Sequence, residues 1–399
     1  MKNVKLVLPV IVISQFCCTS LWFAGNSVLS DLVTDFDLNQ NTIGDLTSAV
    51  QFGFILGTLL FAVFTISDRF SPSKVFLISG IAGSLFNLGI IWEGNTLSSI
   101  LLLRFFTGFF LAGIYPVGMK IATDYYEKGL GKTLGFLVGA LVLGTAFPHL
   151  LKELIGDLPW EFVIGGTSLL ALFGGFLMVT LVPDGPFRKP AQTTNSGAFF
   201  KVFQNQKFRS VAFGYFGHMW ELYAFWTFVP IILSSYKSIH TQAIFNVPLM
   251  SFVIIAVGGL ACVAAGYLAQ VFGAQKTATI SLLLSGICCF IFPFVFMYGN
   301  DYWFLGFLII WGLVVIADSP LFSTLLAQNV QAEQKGTALT IVNSIGFLVT
   351  IVSIQLINFL LDFTDSQTTY LILALGPILG LIALFKGEKR SLNKTDVVL

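Results

Sequence analysis

The sequence predicts an all-α integral membrane protein with twelve transmembrane helices in two pseudo-symmetric six-helix bundles. Three observations carry that expectation: the composition, the number of long apolar runs, and punctuating residues that recur at a nearly constant offset. Of 399 residues, 56% are hydrophobic and 10% charged, whereas soluble domains carry about 25% charged residues. A mean hydropathy of +0.86 agrees. A membrane barrel would alternate apolar and polar residues in segments of about ten, and no part of this chain does. A net charge of +1, with no basic patch, excludes nucleic acid as a partner.

A helix crosses a bilayer with about 20 apolar residues. On that basis the spans fall at 5–30, 42–65, 75–93, 98–122, 133–152 and 161–182, then at 209–235, 245–268, 277–297, 304–328, 337–361 and 368–387. The run after Lys2 and Lys5 continues to Val28. That is longer than the apolar core of a signal peptide, so it reads as span one. Between the sixth and seventh spans lies a segment with Pro183, Pro186, Pro190 and four basic residues. The expected organisation is a first bundle at 1–182, a cytoplasmic linker at 183–208, a second bundle at 209–388 and a tail at 389–399. About seventeen of the 21 Lys and Arg fall on one side, which by the positive-inside rule places both termini in the cytoplasm of a plasma (inner) membrane protein. The five cysteines lie in apolar runs without metal-ligand spacing and read as small core residues.

The internal repeat rests on three pairs. Asp68 aligns with Gln270 at an offset of 202, and Pro116 with Pro320 and Thr133 with Thr337 at 204. Two copies of a six-helix unit follow. The stretch Ile66-Ser67-Asp68-Arg69-Phe70-Ser71-Pro72-Ser73-Lys74 is similar to the loop signature G-x-L-A-D-R-F-G-R-R-K of the major facilitator superfamily. Asp68, Arg69, Phe70 and Lys74 fit, whereas Phe64 and Ser71 stand where glycines are usual. Its echo keeps Gly266, Gly273 and Lys276 but has Gln270 for the acid, and Arg104 with Gly108 resembles the family's span-four pattern. The resemblance covers the whole chain. It implies a monomeric secondary transporter without cofactor or enzymatic activity, acting on a small-molecule solute by alternating access in the lipid bilayer. It also implies that Asp68, Arg69 and Lys74 form a gating latch between helices.

Charges inside a membrane are costly and normally face a cavity or a partner. A carboxyl in a low-dielectric site can load and release a proton near neutral pH, so Glu221 is the first proton-coupling candidate. His218, three residues earlier on the same helical face, is expected to share its proton. Asp318, before Ser319-Pro320, is the other candidate, with capping of the helix break as the alternative. H+ is the expected coupling ion and Na+ the alternative. Arg104 is expected either to neutralise Glu221 or Asp318 or to hold an anionic group in a bidentate contact. Lys120, on the other side of span four, reads as snorkelling to the interface. Span one offers Gln15, Thr19, Trp22 and Asn26 at i, i+4, i+7 and i+11, a stripe that would line a central cavity with Tyr115, Tyr223, Trp226 and Asn343. Gly131-Lys132-Thr133 ends like a P-loop, but Tyr126 stands where its first glycine is needed, so ATP hydrolysis is not expected.

These residues lead to an expected function: proton-coupled uptake of a small polar or anionic solute. Export of an amphipathic compound is the alternative, and a non-transporting membrane sensor the third reading. Drug exporters of the superfamily carry glycine before the span-five proline, and Phe147 precedes Pro148 here.

Overall fold

A computed structural model describes residues 4–39, 42–126, 130–188, 202–331 and 335–395. The linker residues 189–201, and with them Lys189, Pro190 and Lys201, lie outside the described residues, as do Lys128 and residues 396–399. Ten helices among the described residues are long and apolar enough to cross a membrane. Two more complete the twelve: the first, cut short at Val4–Thr19, and the seventh, Gln206–Ile239, which carries His218 and Glu221. Asparagine side chains start three spans of the second bundle. Asn205, Asn246 and Asn300 each accept from the backbone N–H groups of the first turn, filling donors that would otherwise be left over.

Three spans are broken, and the breaks shape the interior. Span one stops at Thr19 and resumes as two short pieces, Ala24–Ser27 and Leu29–Asp35. Span four divides into Leu97–Leu111 and Tyr115–Tyr125, and span ten into Asp301–Ala317 and Ser319–Gln328. Pro116 and Pro320 sit at the first turn of the second pieces, where a residue without an N–H is tolerated. The two prolines that define the repeat therefore make the same joint in both copies.

Packing repeats in the same way. Spans two and four, three and six, one and six, and one and five pack together. Their counterparts eight and ten, nine and twelve, seven and twelve, and seven and eleven do likewise. The most extensive packing between the bundles is of span five with eight and of two with eleven. Close approach depends on glycine: Gly108 lies against the Val50 carbonyl with no room for a Cβ, and a Cβ on Gly139 would sit 3.2 Å from the Gly259 carbonyl across the bundle interface. Between the bundles, side-chain hydrogen bonds run from Gln355 Nε2 to Asp45 Oδ1 (3.1 Å) and Ser48 Oγ (2.9 Å). Both lie at the end opposite the Asp68 turn.

Candidate functional site

Where the bundles meet, a layer of aromatic rings fills the middle of the molecule. Trp22, at the break of span one, is 5.8 Å from Tyr223 and from Phe347, and 4.9 Å from Phe54. Phe54 and Phe347 are 4.6 Å apart, and Trp226 stands 5.3 Å from Tyr223. Spans one, two, seven and eleven thus close on one another through four kinds of apolar contact and no charge. Tyr115 lies within electrostatic reach of Cys262, Tyr215 and Tyr223 in the opposite bundle. Asn343 is half-buried four residues before Phe347, on the same helical face.

Polar atoms without partners gather around this layer. The indole N–H groups of Trp22 and Trp226, both ends of the Gln15 and Gln51 amides, and the Ser344 hydroxyl are buried and unpaired. Such groups are rare in a finished core. The break after Thr19 splits the expected span-one stripe. Gln15 points at Gly118, and Thr19 bonds back to the Gln15 carbonyl (2.8 Å) and packs against Gly144. Asn26 reaches Thr47 at 2.7 Å. A continuous helix was needed to bring all four to one face, and the turn at 20–23 removes that condition.

Arg104 is fully buried. Its guanidinium donates to the Leu21 carbonyl and Asn87 Oδ1, each at 3.1 Å, and to the Trp22 carbonyl. The amide of Asn87 in turn donates to Ile164 O, Thr167 Oγ1 and Ser168 Oγ of span six. Neither Glu221 nor Asp318 is among the partners of Arg104. The acceptors are the carbonyls that the break in span one set free, so this charge clamps a helix joint.

The acids of the second bundle also differ from expectation. Glu221 Oε1 accepts from Ser285 Oγ (2.5 Å), Trp311 Nε1 (2.7 Å) and Cys289 Sγ (3.3 Å). His218 does not share with Glu221. Its Nδ1 is 2.8 Å from Asp318 Oδ1, and both side chains are only 1% exposed. Sequence spacing puts His218 and Glu221 on one face, but a 3.6-residue period separates i and i+3 by about 60° of arc, enough to aim them at different neighbours. Nor does the Asp318 side chain cap the break. Its backbone carbonyl does that, accepting from Leu321 N and Phe322 N.

At the Asp68 turn the cation is Lys120, not Arg69. Lys120 Nζ lies 2.9 Å from Asp68 Oδ1 and 3.4 Å from Asp124 Oδ1. Arg69 and Lys74 are exposed and stand outside these ion pairs. The turn opens at Thr65, whose φ of 50° is unusual for a β-branched residue. Residues 182–188 strap across it. Ser73 donates to the Val182 carbonyl (2.6 Å), Ser71 to Asp184 (2.7 Å), and Arg188 to the carbonyls of Asp68 (3.0 Å) and Phe70 (2.7 Å). Sequence reasoning passed over Gln51, Phe54, Trp311 and Phe347. Of these, Gln51 carried a readable signal, as a lone amide inside an apolar run.

The family model described as Major Facilitator Superfamily matches residues 11–354 and, in a second match, 211–396. No curated protein matches the sequence. Among solved structures, the fold is similar to a proton:xylose symporter, XylE, bound to 6-bromo-6-deoxy-D-glucose, with a TM-score of 0.76 at 14% identity over 96% of this chain and 95% of that one. It is similar to the nucleoside transporter NupG (TM-score 0.71, 17% identity, 96% and 100% covered). A bacterial homologue of the human lysosomal transporter Spinster, inward-facing and occupied, matches at 0.71 and 13%, with 96% and 97% covered. At these identities the structures share a fold. With the twelve-span repeat and a family match over most of its length, the chain belongs to the Major Facilitator Superfamily, a family of transporters.

Proposed function

We propose that the protein is a proton-coupled secondary transporter that takes up a small polar solute by alternating access, as a monomer in the plasma (inner) membrane with both termini cytoplasmic. The observation that carries this reading is the His218–Asp318 pair, dry, 2.8 Å apart and beside the joint of span ten. Two such groups can hold no, one or two protons, giving net charges of −1, 0 or +1. In a low-dielectric site those states differ strongly in energy. Loading from one side and release to the other can therefore drive the rocking of one bundle on the other. Glu221, one turn along span seven, is the second acid of the same bundle. The bond from Gln355 to Asp45 and Ser48 supplies a closure at the end opposite the Asp68 turn, which the cycle must open.

The solute site assigned here is the aromatic layer with its unpaired indoles and amides. Arg104 is held by carbonyls and Glu221 by neutral donors, so most of the open contacts are neutral indoles, amides and hydroxyls. These features favour a neutral, hydroxyl-bearing solute stacked on rings. The solutes named for two similar structures, xylose and nucleosides, support that class as the first to test. The aromatic layer also supports a second reading, export of an amphipathic compound.

Protein reconstituted in liposomes should accumulate xylose or uridine only under an inward proton gradient. Asp318→Asn should abolish accumulation while leaving solute exchange. Full uphill accumulation by that variant would remove the pair from coupling, and extrusion under the same gradient would reverse the direction.

A further inference from the structure

The repeat places one feature in the second bundle that the first lacks. Beneath the Gly273 turn, between spans eight, nine, ten and twelve, lies a cavity of about 1010 Å³. Gln270, Lys276, Ile280, Leu283, Thr324 and Phe385 are among the residues that line it. In the first bundle the equivalent position is crossed by ion pairs and by the strap of residues 182–188. Asp68 corresponds to Gln270 at the offset of 202, while Lys120 and Asp124 correspond to Thr324 and Gln328 at 204. The ion pairs that draw Asp68 onto span four thus have no counterpart. The strap is missing too. Pro183 and Pro186 turn the chain across the first bundle after Leu181, whereas the last helix of the second bundle, Leu375–Thr395, runs straight on past the equivalent position.

We propose that this cavity binds an anionic phospholipid of the adjoining leaflet. Its wall is graded. Gln270, Gln275, Lys276 and Gln328 stand at the mouth, and Leu283 lies ten residues along span nine from Gly273. At 1.5 Å per residue that is about 15 Å of depth, enough for the upper part of an acyl chain. Ile280, Leu283 and Phe385 are 46, 44 and 50% exposed, so the apolar wall opens sideways toward lipid. Lys276 is exposed, and among the described residues no Asp or Glu lines the cavity. A cation above an apolar slot fits a phosphodiester with a net negative charge, and with no carboxylate among the described lining residues the quaternary ammonium of a choline headgroup finds no counter-charge. The site does not depend on the transport reading.

Native mass spectrometry of the full-length protein, with phosphatidylglycerol and phosphatidylcholine offered in equal amounts, tests this. The wild type should retain phosphatidylglycerol preferentially, and inorganic phosphate should not displace it. Lys276→Gln should lower that retention about fivefold, the weight of one basic residue at an anionic surface, without altering phosphatidylcholine. The double variant Gln270→Asp, Thr324→Lys rebuilds the Asp68–Lys120 bridge and should exclude the lipid while remaining folded by thermal unfolding. Equal retention of both lipids, or unchanged phosphatidylglycerol retention in both variants, overturns the proposal.

Discussion

Where the first bundle buries Arg104 against the carbonyls of Leu21 and Trp22, the second buries Glu221 under Ser285, Trp311 and Cys289 and sets His218 against Asp318. The positions are nearly related by the repeat. Thr19, in the first bundle, corresponds to Glu221, Asn87 to Cys289, and Arg104 to Leu308. Duplication has thus kept the proline joints of spans four and ten and the packing pairs, while span seven runs unbroken where span one is jointed and each copy took a different internal charge. The first bundle's cation holds a joint through its two terminal nitrogens, while its Nε has no partner. The second bundle's groups are set against each other and against neutral donors, the arrangement on which the proposed coupling rests. A scaffold half and a titrating half is the division this comparison points to.

The largest test of that division is Arg104. Arg104→Leu leaves two buried carbonyls and the Asn87 amide oxygen without donors, and losing one partner of a buried charged contact costs about 3–5 kcal/mol. The thermal midpoint of purified protein should fall sharply or folded protein should be lost, with Arg104→Lys between the two. An unchanged midpoint in Arg104→Leu would show that the clamp carries no stability. Glycine substitutions come next. Gly108→Ala forces a Cβ into the Val50 carbonyl and should cost about 1–3 kcal/mol by overpacking. Gly306→Ala meets nothing within 4 Å and should gain up to about 1 kcal/mol. If the two move the midpoint alike, close packing of spans two and four is not what holds the first bundle.

Most of the fold was legible in the sequence because the bilayer imposes a length and a polarity on every span. The breaks in spans four and ten were marked by Pro116 and Pro320. The break in span one carries no proline, and so the stripe from Gln15 to Asn26 was drawn on a helix that does not continue. For the site, the sequence identified which residues are buried charges but not how they pair. Register along a helix fixes a direction to within a face, whereas a partner such as Asp318 for His218, or Lys120 for Asp68, depends on which helix stands opposite. Lys120 was discounted for lying on the wrong side of span four, and that side is the one the Asp68 turn packs against.

Gln355 and Glu221 separate gating from coupling at intermediate cost. Gln355→Ala removes both bonds to span two, at about 1 kcal/mol per neutral hydrogen bond. It should shift the closed population several-fold toward opening at that end, read as longer distances between spin labels on spans two and eleven. Glu221→Gln keeps an oxygen to accept from Trp311 and Ser285. Its midpoint should move by about 1–1.5 kcal/mol or less, while its effect on proton-driven accumulation tests the titrating half directly. A closed-state distance distribution unchanged in Gln355→Ala would place the gate elsewhere.

The smallest effect is expected at the Asp68 turn. Lys120 and Asp68 are part-exposed, with side chains 20 and 32% accessible, and pairs of that kind contribute about 0–1 kcal/mol. Lys120→Gln should therefore lower the thermal midpoint slightly, and the difference from wild type should shrink as salt is raised, because screening acts on exposed pairs. The strap from residues 182–188 keeps its backbone and hydroxyl contacts in that variant, so the turn should stay in place. The matching change in the second bundle, Thr324→Lys alone, has no acid at Gln270 to meet and should leave the midpoint unchanged. If Lys120→Gln instead destabilised the protein as much as Arg104→Leu, the charged turn would be a structural keystone of the first bundle. The division between a clamped half and a titrating half would then have to be redrawn around Asp68.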